Sequence, residues 1–123
     1  MPWEVNPDRP IYLQLAEQLE LKICSGVYPL GSRLPSVRDL AQEASVNPNT
    51  MQRALAKLEE DGLVYTNRTN GKFVTENKDI IQKVKGKIAQ EQVKNFLKKM
   101  DELGFTHTEI LSIISEILRG GKQ

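Results

Sequence analysis

Leu34-Pro35-Ser36-Val37-Arg38-Asp39-Leu40-Ala41, followed shortly by Asn47-Pro48-Asn49-Thr50, decides the reading of this chain of 123 residues. Val37, Leu40, Ala41 and Ala44 recur at helical spacing, and beyond Ser45-Val46 a second such stripe runs through Met51, Ala54, Leu55 and Leu58. Two short amphipathic helices joined by a tight turn are the layout of a helix-turn-helix, which sets the start of its second helix against base edges in the major groove. The caps agree with this reading. The Ser36 hydroxyl can accept from the amide of Asp39, and the Asp39 carboxylate can answer back as a shortened capping box. Asn47 and Pro48 suit the cap and first position of the next helix, where an acceptor is wanted and a missing amide hydrogen does no harm.

Upstream, after an extended, proline-bracketed opening from Met1 to Pro10, the stripe Tyr12, Leu15, Ala16, Leu19 and Ile23 predicts a first helix ending near Ser25-Gly26. Arg33-Leu34 reads as a brief extended segment. Downstream of Asp61-Gly62, Leu63–Thr66 and Lys72–Thr75 are β-rich runs around Asn67-Arg68-Thr69-Asn70-Gly71, so they predict a hairpin. Three helices and a hairpin make a winged helix-turn-helix over residues 1–75.

From about Asp79 the pattern is helical again, with Ile81, Val84, Ile88, Val93, Phe96, Leu97 and Met100 on a drifting stripe. Thr106-His107-Thr108-Glu109 is a full capping box, so a last helix is expected from His107 to Gly120-Gly121, with Phe105 and Ile110 at staple positions. The expected fold class is therefore mainly α with a small β-hairpin wing, and residues 76–123 form a two-helix dimerisation domain. Two helices with such wide apolar faces cannot cover each other, and soluble monomers rarely tolerate the remaining patch. A homodimer is expected, paired through Ile88, Phe96, Leu97, Met100, Ile110, Ile113, Ile114, Ile117 and Leu118.

Bulk composition narrows the function classes. The 17 basic and 16 acidic side chains give a formal charge of +1, so a polyanion partner requires a local basic face rather than global charge. Cys24 is the one cysteine, which excludes an intramolecular disulfide or a zinc cluster within the chain and suits a reducing compartment. Met1-Pro2-Trp3-Glu4 lacks the plan of a signal peptide, and no apolar run approaches the ~18 residues of a membrane span, so a cytoplasmic setting without membrane is expected. No nucleophile-base pair, phosphate loop or carboxylate dyad stands out, which argues against an enzyme and implies no cofactor. His107 sits on a capping turn without partners for metal or proton transfer, and Cys24 belongs to the first helix's packing. Trp3 is expected to pin the N-terminal arm.

The candidate contacts to double-stranded operator DNA follow from these positions. Ser36 opens a helix whose free amides attract phosphate, and Arg38 lies outside the buried stripe on the same first turn. Asn49, Thr50 and Gln52 crowd the start of the third helix with side chains suited to base edges and phosphates, while Asn47 is equally explained by capping. Arg53 and Lys57 suit a phosphate or the solvent. Arg68 and Lys72 bracket the wing loop, whose narrow basic tip suits a minor groove.

These residues resemble the GntR family of bacterial transcription regulators from about Pro10 to Val74. The resemblance rests on Pro10-Ile11-Tyr12, Gly26-Val27-Tyr28-Pro29-Leu30-Gly31, Arg33 to Ala41, Val46-Asn47-Pro48-Asn49-Thr50, Arg53-Ala54-Leu55, Leu58-Glu59 and Gly71-Lys72-Phe73-Val74. Asn-Pro-Asn-Thr and the short tail resemble the YtrA subfamily, which carries a two-helix dimerisation domain. The resemblance implies DNA contacts by Arg38, Asn47, Asn49, Thr50 and Gln52, and an approach of Arg68 and Gly71 to DNA. It further implies a repressor of an operon encoding an ABC transporter, tied to cell-envelope stress. The wing departs from the family's Arg-Gly-x-Gly-Thr-Phe-Val, because Thr69 and Lys72 replace its first glycine and its threonine. Two other readings of the residues stay open: a winged-helix protein-interaction module, and a ligand-responsive regulator with an effector at the dimer interface.

Overall fold

The computed structural model describes residues 3–120, so Met1 and Pro2 of the opening and Gly121 of the expected helix end lie outside the described residues. Helices α1 (Ile11–Cys24), α2 (Val37–Ala44) and α3 (Pro48–Glu60) precede strands β1 (Val64–Asn67) and β2 (Gly71–Val74), and α4 (Lys78–Glu102) and α5 (His107–Gly120) follow. The chain forms two compact units that divide between Lys85 and Gly86. That division falls ten residues beyond the end of the expected winged domain, because Ile81 is buried in the first unit's core and Val84 packs against it.

In the first unit, Leu15, Leu19, Leu40, Met51, Leu55, Leu58, Leu63 and Val74 are fully buried. They come from all three helices and the hairpin, and α1 packs chiefly on α3. Helix α1 has no side-chain cap at Pro10. The extended arm before it is held from the side instead. The Gln14 amide accepts from Asn6 N–H at 2.8 Å and donates to the Asn6 and Arg9 carbonyls, while Gln18 makes the same two-way bond with the backbone of Glu4. Trp3 does pin the arm: its ring lies 3.9 Å from the Lys22 ammonium, and its Nε1 donates to Glu43 on α2. A buried lysine is thereby matched to an aromatic face rather than to an acid.

Ser36 caps α2 by accepting from Asp39 N–H at 3.0 Å. The Asp39 carboxylate makes no return bond among the described residues; aspartate lacks the methylene by which glutamate completes that motif. At Thr106 the full box forms both ways, with Thr106 N–H on Glu109 at 2.8 Å and Glu109 N–H on Thr106 Oγ1 at 3.2 Å, so α5 begins at His107 as its sequence predicts.

The α2 and α3 C-termini share one closing pattern. In α3, Leu63 N–H reaches the Leu58 carbonyl and Gly62 takes positive φ; in α2, Val46 N–H reaches the Ala41 carbonyl and Ser45 takes φ 57°. Both are Schellman endings, which place one residue in the left-handed region. Using Leu63 to close α3 also explains why β1 begins at Val64, one residue later than its composition suggests.

The hairpin pairs Val64 with Val74 and Asn67 with Gly71. Arg33 bridges to Phe73, so the segment before α2 lies along β2 as a third, minimal strand. Thr66 and Lys72 are cross-strand partners that turn toward α3, where Lys72 Nζ meets Glu59 Oε1 at 2.9 Å. In the second unit, α4 closes at Gly104, Ile110 is buried, and Ile113 and Ile114 are half-buried. Val93, Phe96, Leu97, Leu111, Ile117 and Leu118 remain exposed.

Ser45 is the one non-glycine residue with positive φ among the described residues and is exposed. Ser45→Gly should therefore stabilise the fold by about 0.5–1 kcal/mol, the left-handed penalty less glycine's entropy cost. A calorimetric rise of about 2–6 °C checks this. The Lys72 ammonium and Thr66 hydroxyl hold the Glu59 carboxyl below the usual carboxylate range. A lowered folded-state value means the pair's stabilisation is present above the unfolded carboxylate range and disappears as pH falls through the folded value. Glu59→Gln should melt below the parent at pH 7, and the two melting curves should converge as pH is lowered past about 4.

Candidate nucleic-acid interface

Helix α3 is oriented by its underside. Met51, Ala54, Leu55 and Leu58 have no exposed surface. At 100° per residue this turns Asn49, Gln52, Arg53 and Ala56 outward, and all four are exposed. The side chains of Asn49 and Gln52 have no intramolecular partner among the described residues, so their amides are available to an external donor-acceptor pattern. Asn47 caps the helix, its Oδ1 accepting Asn49 N–H at 2.7 Å. Its amide nitrogen stays available.

Thr50 is half-buried beside a cleft of about 410 Å³ lined also by Pro10, Ile11, Tyr12, Asn49 and Arg53. Arg53 does not wave in solvent: its guanidinium centre lies 3.9 Å from the Tyr12 ring centroid. Stacking on an aromatic face holds a guanidinium in place while leaving its N–H groups free. Lys57 instead pairs with Asp61 one turn on, at 3.8 Å.

Ser36 places the start of α2 near this surface in sequence order, and its hydroxyl is spent on the cap. Arg38 is exposed on the first turn and has no acid partner among the described residues. It is a free cation at the positive end of a helix.

At the wing, Asn67 organises the loop by accepting from Thr69 N–H and Thr69 Oγ1, each at 3.1 Å, and Asn70 N–H bonds the Asn67 carbonyl. The loop is thus a tight turn followed by Gly71 at φ 95°. Gly71 stands where positive φ is required, whereas Thr69 does not adopt it; the family's glycine at that point is dispensable to this turn. Arg68 is exposed at the tip without an intramolecular partner among the described residues. Lys72, grouped with it in the sequence reading, is placed differently. Its ammonium is held by Glu59 and by Thr66 Oγ1 at 3.0 Å on the face toward α3.

The structure therefore brings together Asn47, Asn49, Thr50, Gln52 and Arg53 on one helical tip, and keeps Arg68 and Gly71 at the wing's end. Tyr12 and Glu59 were missed by sequence reasoning, because each acts on a cation distant in sequence. The Pro10-Ile11-Tyr12 signature could have singled out Tyr12, but no local signal marks Glu59. No group of three or more metal-binding side chains occurs among the described residues, nor is any described helix long and apolar enough to cross a membrane.

Residues 11–74 match the family model described as bacterial regulatory proteins, gntR family. The HTH-type transcriptional regulator YhcF of Bacillus subtilis is 40% identical over 96% of this chain and 98% of its own length. The HTH-type transcriptional repressor YtrA of the same organism is 33% identical over 93% and 91%. Among solved structures, a GntR family transcriptional regulator from Listeria monocytogenes superposes with a TM-score of 0.84 at 38% identity, covering 91% of this chain and 98% of that one. The AraR DNA-binding domain in complex with operator ORX1 gives 0.53 at 26% identity, over 61% and 99%. The fold, the exposed helical tip and these likenesses agree: the chain belongs to the GntR family of helix-turn-helix transcription regulators, DNA-binding and non-enzymatic, and to its YtrA subfamily.

Proposed function

We propose that the chain acts in the cytoplasm as a homodimeric repressor of a palindromic operator, with residues 1–75 reading DNA and residues 76–123 pairing the chains. The observation that carries this reading is the exposed polar tip of α3, where Asn49 and Gln52 hold unsatisfied amides above a fully buried apolar underside. Asparagine and glutamine match the adenine edge, and Ser36, Arg38, Thr50 and Arg53 are the groups for the flanking phosphates. Arg68 and Gly71 approach the minor groove from the wing. That a B. subtilis relative is a transcriptional repressor and that the AraR domain is held on an operator support both the partner and the sign of regulation.

Dimerisation is supported by the second unit's apolar surface. Phe96, Leu97, Ile117 and Leu118 are all exposed in the single chain, with Leu118 at 77%. They adjoin Ile88, Met100, Ile110, Ile113 and Ile114 along α4 and α5, and a four-helix core from two chains would cover them. Two-fold symmetry then sets two half-sites one or more turns of ~10 base pairs apart.

Selection of bound fragments from random DNA should return such a palindrome. On the selected site, Gln52→Ala should weaken binding by about 1–3 kcal/mol and relax preference at one position per half-site. Arg38→Ala should weaken binding across sequences while leaving melting temperature and mass unchanged; two variants that footprint like the parent would remove these contacts from the account. The parent should sediment as two chains at micromolar concentration. Joint replacement of Ile117 and Leu118 by glutamate should halve that mass, and a parent already sedimenting as one chain would exclude the pairing.

A further inference from the structure

Residues 3–77 contain eight cations, and the fold engages five of them: Arg9 with Glu17, Lys22 with Trp3, Arg53 with Tyr12, Lys57 with Asp61 and Lys72 with Glu59. Only Arg33, Arg38 and Arg68 have no intramolecular partner among the described residues. Two of these three are assigned to DNA above. The third has no role in the fold that its charge explains.

The position of Arg33 is built rather than incidental. Leu34 N–H bonds the Lys72 carbonyl at 2.9 Å, and Val74 N–H bonds the Ser32 carbonyl at 2.9 Å, so backbone bonds on both sides fix the segment to β2. Arg33 stands opposite Phe73, but its guanidinium does not stay there. Its Nε and Nη2 lie 3.6 and 3.7 Å from where a Cβ on Gly71 would stand, two residues nearer the loop. The side chain therefore runs along the hairpin toward its tip and rests on the glycine that ends the turn. Lys72, the cation that composition assigns to this wing, points to the opposite face and is neutralised by Glu59.

We propose that Arg33 is a further DNA-contacting residue, and that the wing presents a pair of arginines, Arg33 and Arg68, to the phosphates bordering the minor groove, in place of Arg68 and Lys72. This rests on the DNA-reading function proposed above. The wing's charge then comes from two chain segments, one before α2 and one in the loop. A guanidinium suits the role because it can donate to two phosphate oxygens at once.

The test is the salt dependence of binding to a labelled 30-base-pair duplex recovered by the random-DNA selection, with the full chain. Each phosphate contact contributes about one to the slope of log affinity against log salt. Arg33→Gln, which keeps the strand and the side-chain stem, should lower that slope by about one and the affinity roughly tenfold, without altering the base preference. Arg33→Lys should restore most of the slope. Lys72→Met should leave the slope at the parent's value, since that charge already has a partner. Melting temperature monitors folding, and the comparison with Arg33→Lys holds even where Arg33→Gln lowers it. An Arg33→Gln slope equal to the parent's, or a drop in slope for Lys72→Met instead, overturns the assignment while leaving the regulator reading intact. A parent chain whose affinity ignores salt, or is absent, overturns the regulator reading itself.

Discussion

The burial of one face of α3 is the constraint on which the rest depends. Met51, Leu55 and Leu58 are each fully removed from solvent, and large aliphatic side chains contribute about 1.5–3 kcal/mol apiece on burial. Turning the helix by one residue would expose them and push Gln52 or Arg53 into the core, where an unpaired amide costs a few kcal/mol and an unpaired charge more. The rotation of the helix is therefore set by its apolar side, although its function lies on the polar one. Helix α1 supplies the opposing surface through Leu15 and Leu19, and it also brings Tyr12 beneath Arg53.

Around this helix, polar bonds determine which groups remain available. Asn47 spends its oxygen on the cap and Ser36 its hydroxyl, while Glu59 takes up the lysine that would otherwise sit on the wing. The same Glu59 contact joins the far end of α3 to the hairpin, so the reading helix and the wing share a support. Charge near zero overall is compatible with a DNA-facing surface because intramolecular partners neutralise cations selectively, leaving three arginines on the elements that approach DNA. The second unit follows a different logic. Its two helices expose more aliphatic surface than they bury, so its own chain does not complete it.

Much of this was legible in the sequence, where local chemistry decides local geometry. The helix-turn-helix, the caps at Ser36, Asn47 and Thr106 and the hairpin around Asn67–Gly71 follow from residue types at fixed short spacings. What escaped the sequence reading depends on partners far apart in the chain. Gln14 and Gln18 gripping the N-terminal arm, Glu59 holding Lys72, and Arg33 reaching Gly71 involve side chains with no periodic signature. The end of the first unit was misplaced for a related reason: Ile81 and Val84 continue the α4 stripe without a break, so nothing in the pattern announces that they join the winged core. Thr69 shows the reverse case. A departure from the family's glycine looked consequential in sequence, yet the turn assigns its positive φ to Gly71 alone within the wing.

The central claim is that the polar start of α3 meets DNA while its underside stays in the core. Titrating a duplex of the selected sequence into isotopically labelled protein, with backbone amide shifts as the readout, tests it most directly. The account predicts the largest shifts at Asn49–Arg53, with further shifts at Arg38 and Arg68 and almost none at Ile113–Leu118. Shifts concentrated in α4 and α5, with Asn49–Arg53 unmoved at saturating duplex, would contradict it.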